Sequence, residues 1–366
     1  MAITRIGNPA IADVREPNFR NIIINGDMSI AQRGTSATGK TATGYYTSDR
    51  FQQFISSAGT WTLSQDTDVP TGQGFAKSMK YDCTTANGSL DAGSLLLFQS
   101  KFEGQNLQYL KKGTSDAVST TLSFWVKSNK TGTYICQLRD IDNSRSISKS
   151  YTISSANTWE KKTITYPGDT TGAFDNDNGD SLRLLFFLGA GSNYTSGTLG
   201  TTWGAEVNAN RAVGQVNLAD STSNEWYVTG VQLEAGSVAS DFEFLPFDVN
   251  RERCYRYYRT LVPLNTENTG FSMGFYTANN NGRFAMHLEN PMRTTPTLDI
   301  VTGTDYFKIF TAGGGDDELN SFSIMANSTE RFVIANNTSQ ASGTGGQAGY
   351  VQSSSNSAYL GLEAEL

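Results

Sequence analysis

The sequence predicts an all-β protein of sandwich or barrel type, on three observations. First, apolar residues recur with a period of two: Leu122, Phe124 and Val126 alternate with Thr121, Ser123 and Lys127, and Tyr134, Cys136 and Leu138 with Ile135, Gln137 and Arg139. That spacing puts successive side chains on opposite faces of a strand. Second, such runs repeat at intervals of roughly ten to fifteen residues between clusters of Gly, Asn, Asp and Ser, the rhythm of strands joined by turns. Third, charged residues make up 17% of the 366, against roughly a quarter in an average soluble protein. Turn formers and hydroxyl residues, including 36 Gly, take their place and favour strands over helices.

Taken in order, residues 1–20 carry Pro9 and Pro17 with mixed charge and no apolar period. They read as an extended arm for attachment to a neighbouring subunit, with Ile6, Ile11 and Phe19 as its few apolar contacts. A strand is expected to open at Ile22. Gly34 to Thr41 satisfies the phosphate-binding loop pattern, but that mechanism needs a buried strand before the loop and a helix after it. Thr41-Ala42-Thr43-Gly44-Tyr45-Tyr46 is poor helix material, so the segment reads as a flexible connection between strands. Leu95–Leu110 is the one stretch that suggests a short helix. The run Asp175 to Asp180 reads as a polar hairpin tip, because its spacing departs from that of a calcium loop. Residues 251–262 read as a linker, preceded and filled by the charge-plus-aromatic stretch Asn250 to Arg259. From residue 263 to 366 the period of two resumes, as in Phe284, Met286 and Leu288, and predicts a second, smaller β-sandwich.

The chain carries 28 Lys plus Arg against 35 Asp plus Glu, a net charge of −7, and has no basic run. Nucleic-acid binding needs a basic footprint and is not expected. The densest apolar run, Leu182 to Leu188, contains Arg183 and is too short to span a bilayer, so no membrane insertion is expected. Cys83, Cys136 and Cys254 fit neither a zinc site nor a disulfide framework and read as buried free thiols. No metal and no cofactor is expected. His287 is the only histidine, placed mid-strand on a polar face, so no catalytic triad is expected and the chain reads as a non-enzyme. Of the five tryptophans, Trp159 precedes a strand and reads as core. Trp125 shares a face with Ser123 and Lys127, and Trp203 lies in a Gly-rich loop. These two are the candidate contacts for a stacked sugar.

Several segments carry a resemblance. Asn21 to Gly34, Tyr46-Thr47-Ser48-Asp49-Arg50-Phe51, Thr121 to Ser128, Trp159 to Asp169, and Val231-Gln232-Leu233-Glu234-Ala235-Gly236-Ser237 together resemble a domain of tail fibres and other virion surface proteins of tailed bacteriophages. Its middle part is similar to carbohydrate-binding jelly rolls. Arg253 to Tyr258, Asn290 to Thr297 and Ala358 to Leu366 resemble the linker and strands of a C-terminal β domain. The resemblance implies a jelly roll over 21–250 and a phage structural protein of the virion, assembled in the host cytoplasm as a homotrimer. It implies contact with other virion proteins through the arm and with host surface glycans, as in a tail fibre or adhesin. A capsid or tail decoration or connector protein with a purely assembly role is the alternative. Asp49, Arg50, Gln232 and Glu234 fall on what look like scaffold positions, where buried polar groups must be paired.

Overall fold

A computed structural model describes residues 19–311 and 315–366. Ile6 and Ile11 lie outside the described residues. The chain is 7% helical and 43% strand, so the all-β expectation holds. Twelve strands build the first unit: Ser36–Lys40 (β1), Phe51–Ser56 (β2), Thr60–Asp66 (β3), Ser78–Thr85 (β4), Leu95–Glu103 (β5), Thr120–Ser128 (β6), Gly132–Asp140 (β7), Arg145–Ile153 (β8), Glu160–Tyr166 (β9), Asp180–Ala190 (β10), Gly204–Ala205 (β11) and Glu225–Ala235 (β12). They form two six-stranded antiparallel sheets, ordered β1-β3-β4-β12-β6-β9 and β11-β8-β7-β10-β5-β2, packed in a jelly-roll-type sandwich.

The inner faces meet in an aromatic core. Phe98 of β5 lies at its centre, stacked on Phe51 at 4.5 Å and edged by Trp226 at 5.7 Å, Phe186 at 5.8 Å and Tyr81 at 6.2 Å between ring centroids. Rings at these separations add attraction to the large apolar area that they bury. Cys83 and Cys136 are buried free thiols here, and Cys254 is buried beside the second unit.

Three local expectations give way. Leu95–Glu103 is a strand, and only the two short 3-10 turns Gly104–Asn106 and Gln108–Leu110 follow it. All nine of its residues are buried, because the helix α1 (Ser192–Thr195) and its flanking loops cover the outer face of this sheet over Leu95, Leu97, Leu185 and Phe187. A strand covered on both faces loses its alternation and mimics a buried helix. Residues 36–40 of the glycine-rich segment are themselves the edge strand β1, paired with β3 across a bulge at Gly39, whose φ is +66°. Asp175 to Gly179 is no hairpin tip, since it carries the chain from β9 in one sheet to β10 in the other.

Residues 21–26 run alongside Val231 and Leu233, and 21–34 form no regular strand. The Asn21 amide replaces ladder bonds: its Oδ1 accepts from Ile23 N and Leu233 N, and its Nδ2 donates to Val231 O. Asn25, in the left-handed region at φ 62°, does the same for Ile30 and the Asp49 carbonyl. Asp49, Arg50, Gln232 and Glu234 are all buried and hydrogen-bonded.

The stretch read as a linker holds most of helix α2 (Phe247–Tyr255) and the strand β13 (Tyr258–Val262). The remaining strands are Gly270–Ala278 (β14), Asn281–His287 (β15), Thr297–Val301 (β16), Phe307–Thr311 (β17), Gly315–Leu319 (β18), Ser323–Ile324 (β19), Phe332–Asn337 (β20), Ala348–Ser353 (β21) and Tyr359–Glu363 (β22). They make a three-stranded sheet, β13-β22-β16, and a seven-stranded one, β18-β17-β21-β14-β15-β20-β19. Phe284, Phe307, Ile309, Val351 and Leu360 fill the space enclosed.

The seam between the units is charged and dry. Arg50 pairs with Glu365, just beyond β22, and both side chains are 3% exposed. Its guanidinium lies 3.4 Å from the Tyr257 ring centroid, and that of Arg33 lies 3.4 Å from Tyr258. Glu103 takes a forked pair of bonds from Arg256, at 2.7 and 2.6 Å, and a third from the Tyr257 hydroxyl at 2.5 Å. Beside them burial pushes the Asp49 carboxyl up to about 6, although Arg33 and the hydrogen bonds from Gln32 pull it down.

Candidate functional site

On the sandwich, attention falls on the outer face of the first sheet. Leu122, Phe124 and Val126 of β6 enter the core, so Ser123, Trp125 and Lys127 point away from it. The register places Lys127 opposite Tyr227 of β12, and Tyr227 opposite Lys80 of β4. Trp125 stands opposite Thr229 on one side and Lys161 of β9 on the other. Extending that register by two residues brings Trp159 beside Lys127, so Trp125 and Trp159 are diagonal neighbours on one face, with backbones roughly 7–8 Å apart.

Trp159 is therefore not a core residue. Ile164 and Tyr166 of β9 take the inward phase, and the odd-numbered Trp159, Lys161 and Thr163 take the other. That phase was available from the alternation. The tryptophan's size suggested burial instead.

A polar lattice fixes these side chains. The Trp159 indole Nε1 donates to Asp68 Oδ1 at 2.9 Å, and the Lys127 ammonium pairs with the same carboxylate. Trp159 meets Tyr227 edge-on at 6.2 Å. Lys127 Nζ lies 4.1 Å from the Tyr227 ring centroid, with Lys80 Nζ at 5.3 Å. Lys80 donates to Glu225 Oε1 at 2.6 Å and the Tyr227 hydroxyl to Oε2 at 2.7 Å. Burial opposes the ionised form of both carboxylates. Lys127 and Trp159 nevertheless hold Asp68 below its ordinary range, and Lys80 and Tyr227 do the same for Glu225. Burial raises the Tyr227 hydroxyl to about 12. The result is a face with two half-buried indoles among charged donors and acceptors, of which Trp159 is held by its bond to Asp68. Such a surface suits a ligand with one apolar face and a rim of hydroxyl groups. Nothing in the patch is arranged as a nucleophile with its base.

Trp203, the other candidate from the sequence, is not brought together with Trp125. It closes the edge of the sandwich, where its Nε1 donates to Pro167 O at 2.8 Å and its ring packs on the core. Beneath it lies a feature that the sequence did not disclose. The Lys112 ammonium is buried between Asp140 (2.5 Å) and Asp169 (3.2 Å) and donates to the carbonyls of Thr171 (2.9 Å) and Gly172 (2.6 Å). An oxygen cage of this kind suits a cation, and here the lysine fills it. His287 ends β15 and is exposed. Among the described residues, no cluster of three or more His, Cys, Asp or Glu is arranged to hold a metal ion, and no helix is long and apolar enough to cross a membrane. Phe19 is exposed, with the Arg253 guanidinium 5.0 Å from its ring centroid.

No protein-family model and no curated protein matches the chain. Among solved structures, its neighbours include a phage tailspike domain and several carbohydrate-binding modules. The enzymatically active domain of tailspike protein 4 of bacteriophage CBA120 is 13% identical with a TM-score of 0.32. The match covers 59% of this chain and spans only 22% of that one. The module TmCBM61, in complex with beta-1,4-galactotriose, is 9% identical (TM-score 0.30; 59% of this chain, 99% of that one). The family 11 carbohydrate-binding module from Clostridium thermocellum, in complex with a beta-1,3-1,4-mixed-linked tetrasaccharide, is 12% identical (TM-score 0.26; 56% and 98%).

Proposed function

We propose that this protein is a non-enzymatic surface protein of a phage particle, a tail fibre or similar adhesin, that holds host glycans on the outer face of its sandwich. The observation that carries the glycan reading is the pair Trp125 and Trp159 on one sheet face, the first placed by the strand register and the second held by Asp68, Tyr227 and Lys127. Pyranose rings stack their CH faces on aromatic rings, and a fixed lattice of charges meets their hydroxyls at little entropic cost. The phage setting rests on the motif resemblance of residues 21–34, 46–51 and 231–237. The absence of hydrolysis is also proposed, supported by the exposed position of His287 and by a patch that lacks an activated nucleophile. Glycan-array binding by the full chain and by Trp159→Ala tests the reading. Selective binding that the substitution weakens by about tenfold or more is expected. Equal binding by both chains would remove the outer face from the account.

One observation favours the second reading, an assembly or connector role. On the outer face of the seven-stranded sheet, Met273, Tyr350 and Phe310 stand side by side across three strands and are 65%, 42% and 40% exposed. Such a row suits burial between subunits, as in a homotrimer. Light scattering on the full chain decides this point: a trimer that Met273→Lys dissociates supports it, and a monomer at micromolar concentration opposes it.

A further inference from the structure

A cleft of about 730 Å³ opens at the seam between the two units. Its size is that of small-ligand pockets, roughly 300–1,000 Å³. Phe102 and Tyr109 face it from the sandwich, Tyr257 and Pro291 from the C-terminal unit, with Phe19 and Ile22 alongside. The charges in its walls are mostly committed. Arg50 holds Glu365, Arg256 holds Glu103, Lys101 donates to the Leu366 carbonyl oxygen, and Glu252 accepts from Asn290 at 2.6 Å. Asp248 is exposed. Arg253 of α2 differs. It is half-buried, and among the described residues it makes no ion pair and no hydrogen bond; its guanidinium overhangs the Phe19 ring, and the Glu243 carboxylate acts on it from beyond ion-pair distance. Asn106, also in the lining, is exposed with a free side-chain amide among the described residues.

A half-buried guanidinium with no protein acceptor is well shaped to receive one. Its planar fork matches a carboxylate through two parallel bonds. Aromatic walls suit the CH face of a sugar ring, and an amide suits its hydroxyls. We propose that the cleft is a second ligand site that takes a carboxylate-bearing sugar, with the carboxylate on Arg253 and the ring against Tyr109. The proposal extends the glycan reading to acidic sugars but uses none of the residues of the outer face.

The test is calorimetric titration of the full chain with trigalacturonic acid, galactose and acetate. Saturable binding of the acidic trisaccharide is expected, with galactose and acetate at least about tenfold weaker. Arg253→Gln should weaken the acidic trisaccharide by about tenfold or more while leaving the melting temperature in place. Asn106→Ala, an exposed position, should weaken it by about threefold, and Trp159→Ala should leave it unchanged. No saturation by the trisaccharide, an affinity for acetate equal to it, or an Arg253→Gln chain that binds as well as the parent would each overturn the proposal. Loss of array binding in Trp159→Ala with no acidic binding at the cleft overturns this inference alone. Acidic binding with no array signal overturns the outer-face reading alone.

Discussion

The seam between the units and the outer face of the sandwich are built from the same residue types, set to different uses. At the seam, Arg50, Arg33, Glu365, Glu103, Tyr257 and Tyr258 are taken out of water and satisfied by one another. On the outer face, Lys80, Lys127, Asp68, Glu225 and Tyr227 pair in the same manner, but the Asp68 and Glu225 side chains remain 45% and 35% exposed. Buried pairs are costly to break because a lone charge is left in a dry site. Exposed pairs contribute little to stability, since water replaces a lost partner. The comparison therefore assigns structural integrity to the seam and leaves the outer face free to be shaped for a ligand.

The largest expected effect follows from that contrast. Arg50→Ala leaves Glu365 with only the longer pair to Arg33 at 3.4 Å and takes a donor from the Lys101 carbonyl, and should lower unfolding free energy by about 3 kcal/mol, read as a reduced denaturant midpoint. Lys80→Ala on the outer face should cost less than about 1 kcal/mol. Equal losses would break the comparison.

Next in size is ligand binding. Trp159→Ala should weaken glycan binding by about tenfold or more, which corresponds to ~1.4 kcal/mol, at nearly unchanged stability. A thermal melt beside the binding isotherm separates the two, and a large fall in melting temperature would return Trp159 to the structural residues.

Asp49 at the seam should respond to pH in the opposite sense to the outer-face carboxylates, whereas Glu103, held low against its burial by Arg256 and Tyr257, follows the outer-face sense. An unfolded aspartate titrates near ~4. Asp49, raised to about 6 in the fold, keeps a proton that the unfolded chain releases between those values, so its contribution to stability falls as pH rises through that window. Asp68 and Glu225 are lowered. Their contribution is present above the unfolded value and is lost as pH falls below it, through the folded value. Denaturant unfolding at pH 4 to 7 should show Asp49→Asn losing the slope between about 4 and 6. If Asp49→Asn keeps that slope, the assignment to Asp49 fails.

Much of this arrangement was legible in the sequence. The period of two along β6 and β7 gave the strand faces, and the phase of Ile164 and Tyr166 already implied that Trp159 points outward. What misled there was residue size, because a tryptophan before a strand reads as core filling. Leu95–Glu103 hid its strand character for a different reason: α1 and its loops cover its outer face, so no polar residues mark the exposed side. The seam was least legible. Arg50 and Glu365 are 315 residues apart, and the charge-plus-aromatic stretch at 250–259 signalled special chemistry without naming its partners. The Lys112 cage shows the same limit, since its carbonyl ligands from Thr171 and Gly172 carry no side-chain signature.

The most direct test of the outer-face reading uses the five tryptophans as separate reporters. In a spectrum of the indole N–H groups recorded while the array's best-bound glycan is titrated in, the signals of Trp125 and Trp159 should shift and saturate together. Those of Trp61 and Trp226, buried in the core, and of Trp203, fixed at the sandwich edge, should stay in place. Saturating shifts confined to Trp203, or binding that moves neither Trp125 nor Trp159, would contradict the account.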